Sequence, residues 1–195
     1  MKWRGPVVLG VLALGACSHV PQRSSGPGPA ERAAMLGLDQ WQASGRIAVR
    51  TAQDGFSAHF DWRQAGSRGE LGVRGPFGAG AVRVSITPEL IRIESGAEPL
   101  LEVSPPYESV EPLLSARLGF PLPLESLRYW MLGIPAPVRP GTGDGPSFNQ
   151  DGWHVAPSEF GSVERAPGPL PARLDLTRGS SRIRVIIERW QVGGP

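Results

Sequence analysis

From Phe56 to Arg63 the chain alternates without a break, with Phe56, Ala58, Phe60 and Trp62 on one side and Ser57, His59, Asp61 and Arg63 on the other. Successive side chains of a strand point to opposite faces, so this run specifies a strand with one dry and one wet side, the habit of antiparallel sheets. The period recurs before and after it. Ile47 and Val49 alternate with Arg46, Ala48 and Arg50; Leu71 and Val73 open another run; Val82, Val84 and Ile86 alternate with Arg83, Ser85 and Thr87; Ile91 and Ile93 follow, then Leu100 to Val103. Turn residues at Gln53-Asp54-Gly55, Gln64 to Gly69, Pro88-Glu89 and Gly96 to Pro99 separate the runs. Short turns pair sequence neighbours antiparallel, so this half of the chain reads as a meander of about six strands.

The segment Gly75-Pro76-Phe77-Gly78-Ala79-Gly80 interrupts that meander. A phenylalanine between a proline and glycines has no neighbours in its own segment to bury it, so Phe77 either tucks back into the core or protrudes as an apolar tip.

Helical spacing appears near both ends of the meander. Ala30 to Leu38 carries Ala34, Met35 and Leu38 as a brief helix. After Pro105 and Pro106, Ser109 can cap a helix bearing Val110, Leu113, Leu114 and Leu118, with Pro112 tolerable in its first turn. Pro121 and Pro123 on one side and Gly133, Pro135 and Pro137 on the other fence a third, from about Leu124 to Leu132. Its Leu124, Leu127, Trp130 and Met131 fall at spacings of three and four, while Glu125, Ser126 and Arg128 point away.

Strands return after the Asp151-Gly152 turn with Trp153 and Val155, then with Leu174 and Leu176 beyond the Pro/Gly-rich stretch Ala166 to Pro171. The turn Arg178 to Ser181 leads into a last strand in which Ile183, Val185 and Ile187 face one way and Arg184, Ile186, Glu188 and Trp190 the other. Strands, then two short helices, then strands describe a mainly β fold, an unclosed antiparallel half-barrel whose helices sit as a plug on the concave side. Its inward face includes Phe60, Trp62, Val73, Val82, Val84, Ile86, Ile91, Ile93, Leu174, Leu176, Ile183, Val185 and Ile187. Two short helices are little to cover such a face, and a curled sheet incompletely filled leaves an apolar cavity; periodicity alone does not separate that from a packed core.

Residues 1–16 read as a targeting segment: Lys2 and Arg4 precede an apolar run from Pro6 to Ala16, far short of the ~20 residues a membrane-spanning helix needs. The run closes on Leu14-Gly15-Ala16-Cys17, which resembles a lipobox, so Cys17, the sole cysteine, is expected to carry the lipid and leaves no partner for an intrachain disulfide. Residues 17–29 then form a lipidated cysteine and flexible tether, and 30–192 the folded domain. With 20 Lys and Arg against 18 Asp and Glu the full chain is +2, and loss of Lys2 and Arg4 brings the mature chain to neutrality. No basic cluster interleaved with aromatics points to nucleic acid.

Groups for catalysis are sparse. The histidines are His19, His59 and His154; Asp151, His154 and Ser158 lie close in sequence but lack a nucleophile elbow or oxyanion loop. No His/Cys/Asp/Glu spacing suits a metal, and Gly141 to Gly145 lacks the lysine and helix of a phosphate loop. A binding role without cofactor fits these residues better than an enzyme.

Trp41, Gly45-Arg46-Ile47, Phe60-Asp61-Trp62, Gly75-Pro76-Phe77-Gly78, the block Leu122 to Pro135, Asp151-Gly152-Trp153, Leu170-Pro171 and Trp190 together resemble the LolB family of outer-membrane lipoprotein receptors. The resemblance implies a protein anchored in the outer membrane by Cys17 and facing the periplasm, with Ser18 rather than aspartate after the cysteine permitting that address. It implies a monomer that takes acylated lipoproteins from the periplasmic carrier LolA and inserts them into the inner leaflet. It further implies an acyl-chain cavity, to which we assign Phe60, Trp62, Val82, Val84, Ile86, Ile91, Ile93, Leu127, Trp130, Met131, Leu174, Ile183 and Val185, and a membrane-insertion loop of Pro76, Phe77 and Gly78. The rival expectation is a scaffolding lipoprotein with a packed β core that binds another envelope protein.

Overall fold

A computed structural model of the chain describes residues 26–75, 80–95, 98–104, 112, 124–137, 139–143 and 145–194. The alternating runs form β1 (Gln40–Arg50), β2 (Gly55–Ala65), β3 (Arg68–Arg74), β4 (Val82–Ile86), β5 (Ile91–Ser95) and β6 (Glu98–Val103). Helix α1 (Pro29–Met35) precedes them, and α2 (Leu124–Met131) separates them from β7 (Phe148–Gln150), β8 (Trp153–Gly161), β9 (Leu170–Arg178) and β10 (Ser181–Val192). All ten strands join one antiparallel sheet in the order β6-β5-β4-β3-β2-β1-β10-β9-β8-β7. The meander is the first half of that order, and β10 closes the chain beside β1. The sheet stays open, with β6 and β7 as its edges. The helix expected around Val110 to Leu118 lies outside the described residues except for Pro112, which is helical and exposed.

Hairpin connectivity sorts the turns by end. The β1–β2, β7–β8 and β9–β10 turns and the β3–β4 connection leave from one end of the sheet, and α1 with the β2–β3 turn lies at the other. The β7–β8 turn is the two-residue kind whose central residues both need positive φ, met by Asp151 at 54° and Gly152 at 76°. β7 itself is not announced by alternation, because three residues are too few to show a period.

One side of the sheet carries the core, where Trp41, Ala43, Ile47 and Val49 of β1 meet Ala58, Phe60 and Trp62 of β2 and Ile183, Val185 and Ile187 of β10. Phe56 shares that face through its pairing with Val49, yet it sits past the core at the strand's end and is 42% exposed. Trp190 departs from its expected side. Ser44 pairs with Arg189 and Gly45 with Ile187, so Glu188 is an extra residue, a β-bulge that reverses the alternation beyond it. Trp190 thereby comes opposite Ala43 on the inner face and packs on Trp41 with ring centroids 5.5 Å apart, while Trp62 covers Trp41 at 5.7 Å.

Helix α2 ends as its sequence requires: Gly133 takes φ +77° just past the last turn. Its Leu124, Leu127, Trp130 and Met131 are buried, and it packs against β8 and β9. Ser126, expected to point outward, is instead buried, because the hydrogen bond it makes, described below, turns it toward the sheet.

Candidate functional site

The residues assigned to the apolar site come together. Phe60 and Trp62 from β2, Val84 from β4, Ile91 and Ile93 from β5, Leu174 from β9, Ile183 and Val185 from β10, and Leu127, Trp130 and Met131 from α2 belong to one contiguous hydrophobic cluster. Val82 and Ile86 pack against its margin, half-buried. Ile93 and Trp130, thirty-seven positions apart in sequence, are both 0% exposed. Period two turned the strand residues to this side, and the helical period turned α2 to meet them. Cys17 and the Pro76-Phe77-Gly78 segment lie outside the described residues.

What fixes α2 on the sheet is polar, and no sequence pattern announced it. Gln150, the last residue of β7, is 2% exposed and satisfies its side-chain amide completely. Its Oε1 accepts from Trp130 Nε1 at 2.7 Å and from the Ala136 N–H at 2.8 Å, and its Nε2 donates to the carbonyls of Ala136 at 2.9 Å and Arg139 at 2.8 Å. One side chain thus ties the helix and the loop that follows it to the sheet edge. A second fastening lies beside it. Ser126 donates to Asp151 Oδ2, and Arg139 bridges Glu125 at 2.7 Å and Asp151 at 3.5 Å. The bond to Glu125 is the main reason that the Arg139 guanidinium is held above its ordinary pKa, and Asp151 adds to it.

Removing the amide is expected to show its weight. Gln150→Leu would strand a buried indole N–H, a backbone N–H and two carbonyls, each costing about 1–3 kcal/mol when left unpaired, partly recovered by relaxation. A net loss of about 3 kcal/mol in chemical denaturation is expected. A loss below about 1 kcal/mol would mean that α2 is held by packing alone.

Asp151, His154 and Ser158, close in sequence, are not brought together as a nucleophile system. Asp151 is taken by Ser126 and Arg139, His154 shares a bond of 3.0 Å with Asn149 on the wet face, and Ser158 lies four residues farther along β8, about 13 Å away at strand rise.

An antiparallel sheet left open, with a continuous apolar face and a short helix seated on it, defines the class of unclosed β-barrels with a helical plug. Within that class the chain belongs to the LolB family, since the family model described as "Outer membrane lipoprotein LolB" matches residues 39–190. It is similar to proteins named Outer-membrane lipoprotein LolB from Alkalilimnicola ehrlichii, 33% identical over 195 residues and covering 94% of each chain, and from Halorhodospira halophila, 35% identical over 162 residues, 78% of this chain and 76% of that one. The relative of the same name from Nitrosococcus oceani is 27% identical over 208 residues, 99% of this chain and all of its own.

Proposed function

We propose that this protein is an outer-membrane lipoprotein receptor: it is held to the membrane through Cys17, accepts acylated lipoproteins from the periplasmic carrier LolA, lodges their acyl chains against the inner face of the sheet, and passes them to the inner leaflet. The observation that carries the reading is the single apolar surface made by β2, β4, β5, β9, β10 and α2 on a sheet that never closes. A closed barrel of this kind would need its lumen filled; an open one can part along its edges or beneath its helix. Family membership supports the outer-membrane assignment, because the relatives bear that address in their names.

The energetics ask for such a surface. Burying a methylene is worth about 0.8 kcal/mol, so an acyl chain of about fifteen costs roughly 12 kcal/mol to expose to water. A lipoprotein cannot cross an aqueous space unaided at that cost. Handover needs no nucleotide if the receptor holds the chains more tightly than the carrier does and the bilayer more tightly still, a descending sequence of differential affinities. In this mechanism α2 is the movable part, and the Gln150 amide with the Ser126–Asp151–Arg139–Glu125 chain returns it to one closed position.

The test begins with the chain from residue 17 onward carrying Cys17→Ala, which keeps every described residue. It is expected to be soluble and folded, to bind a fluorescent fatty acid saturably, and to take a labelled lipoprotein from LolA. A folded protein that neither binds the fatty acid nor receives the lipoprotein would sink the receptor reading and leave the scaffolding one.

A further inference from the structure

On the wet face of the sheet, at the end where the β1–β2 and β9–β10 turns lie, cross-strand pairing sets two rows of residues side by side. In the outer row Gly55, Arg50, Arg182 and Thr177 stand opposite one another across β2, β1, β10 and β9. In the next row stand Ser57, Ala48, Arg184 and Asp175. Gly55, Ala48 and Ser57 are small, so the guanidiniums rise beside a low floor, and at this end of the sheet lies a half-open groove of about 1010 Å³ whose lining also takes in Val49, Phe56, Leu176 and Ile183 of the inner face.

Its charge is out of balance at one place. Asp175 is occupied by Arg184 at 2.7 Å and Arg173 at 2.6 Å. Burial by itself would raise its pKa, but those two hydrogen bonds outweigh burial and hold the carboxyl below its ordinary value, so it stays ionised and engaged. Asp54, in the hairpin turn, also lines the groove. Arg50 and Arg182 are directly opposed, both exposed, and neither has an ion pair among the described residues. Like charges directly opposite across a ladder destabilise a sheet. Two arginines set face to face over a low floor are a cost that an anion between them would offset, and the planar guanidinium fork suits phosphate oxygens.

From this geometry we infer that the groove is a docking surface for the anionic phospholipid headgroups of a membrane, with Arg50 and Arg182 as its phosphate ligands. A lipid surface fits better than an acidic protein because an exposed aromatic, Phe56, lines the same groove from the inner side of the hairpin end while the arginines line it from the wet side, and cation with aromatic is the pairing that settles at a bilayer interface. The anchor permits the orientation. Gly26 lies against Phe160 near the far end of β8, about 23 Å along the strand from Trp153, and the nine residues from Cys17 to Ser25 reach about 30 Å when extended. The inference takes from the receptor reading only that a membrane is at hand, and it does not need the acyl-chain cavity.

Co-sedimentation of the Cys17→Ala chain with phosphatidylcholine vesicles, with and without phosphatidylglycerol, tests it. The parent is expected to prefer phosphatidylglycerol and to lose that preference as salt rises. Arg50→Gln and Arg182→Gln should each weaken binding about fivefold and together about twentyfold, while Arg63→Gln, the same charge loss near the other end of the sheet, should change it little. The double variant should unfold at the same temperature as the parent or higher, because a repulsion has been removed, and should bind fatty acid as the parent does. Unchanged vesicle binding by the double variant, or indifference of the parent to phosphatidylglycerol, overturns the inference. So does loss of lipoprotein transfer from LolA with vesicle binding intact, which would make the groove a protein contact. Absence of fatty-acid binding in parent and variant alike would count against the receptor reading instead.

Discussion

Phe77→Glu is expected to leave the thermal unfolding midpoint where it is and to lower delivery of lipoprotein from receptor to vesicles at least tenfold. The expectation follows from taking Phe77 as an apolar tip, since its segment Gly75 to Gly80 offers it no other large apolar side chain. Placing a phenylalanine ring in an apolar environment is worth about 1.5–3 kcal/mol, a factor of roughly ten to a hundred, and a carboxylate at the same position adds a desolvation cost. Phe77→Leu keeps the apolar bulk and should deliver nearly as the parent does. Uptake from LolA should be unaffected by either change, because acceptance of the chains is assigned to the inner face and not to this loop. If Phe77→Glu instead lowers the unfolding midpoint as much as a core substitution would, the residue belongs to the core and the insertion role is lost.

The second large effect is on stability. Gly45 sits where β10 bulges toward β1, and a Cβ built on it would lie 2.0 Å from the Ile186 carbonyl oxygen and 3.0 Å from the Glu188 nitrogen. Those are backbone atoms, so no side chain can swing aside. Gly45→Ala must therefore spread the β1–β10 pairing or remove the bulge, and removing the bulge would return Trp190 to the wet face and uncover Trp41. A loss of about 3–5 kcal/mol is expected, which for a chain of this size is about 10 °C or more in the midpoint. Near-UV circular dichroism should change with it, because the Trp41, Trp62 and Trp190 rings are in contact. A variant within about 1 kcal/mol of the parent would show that the two strands yield easily and that the glycine is not what sets the bulge.

Both effects turn on short segments that read ambiguously in one dimension. The alternating runs of β1 to β5 and β8 to β10, the fencing of α2 by proline and glycine, and the convergence of the strand and helix residues on one apolar face follow from periods of two and 3.6 and from backbone rules that act within a few residues. That is why residues as far apart as Ile93 and Trp130 could be assigned to one surface before any contact was known. The bulge at Glu188 inverted the assignment of Trp190, because one inserted residue leaves the composition of a strand untouched while exchanging its faces. Ser126 was misassigned for a related reason: a small polar side chain is sent outward by periodicity unless a buried acceptor waits for it, and that acceptor, Asp151, arrives from a turn twenty-five residues away.

Local sequence, then, determined which segments are strands and helix and which of their faces are apolar, since these depend on the order of side chains along the chain. Tertiary structure alone decided the polar seat of α2 on Gln150, the inward turn of Trp190, and the opposition of Arg50 and Arg182. Each of these arises from register between distant strands, and register is set by the sum of pairings across the whole sheet, so no single stretch of residues carries it.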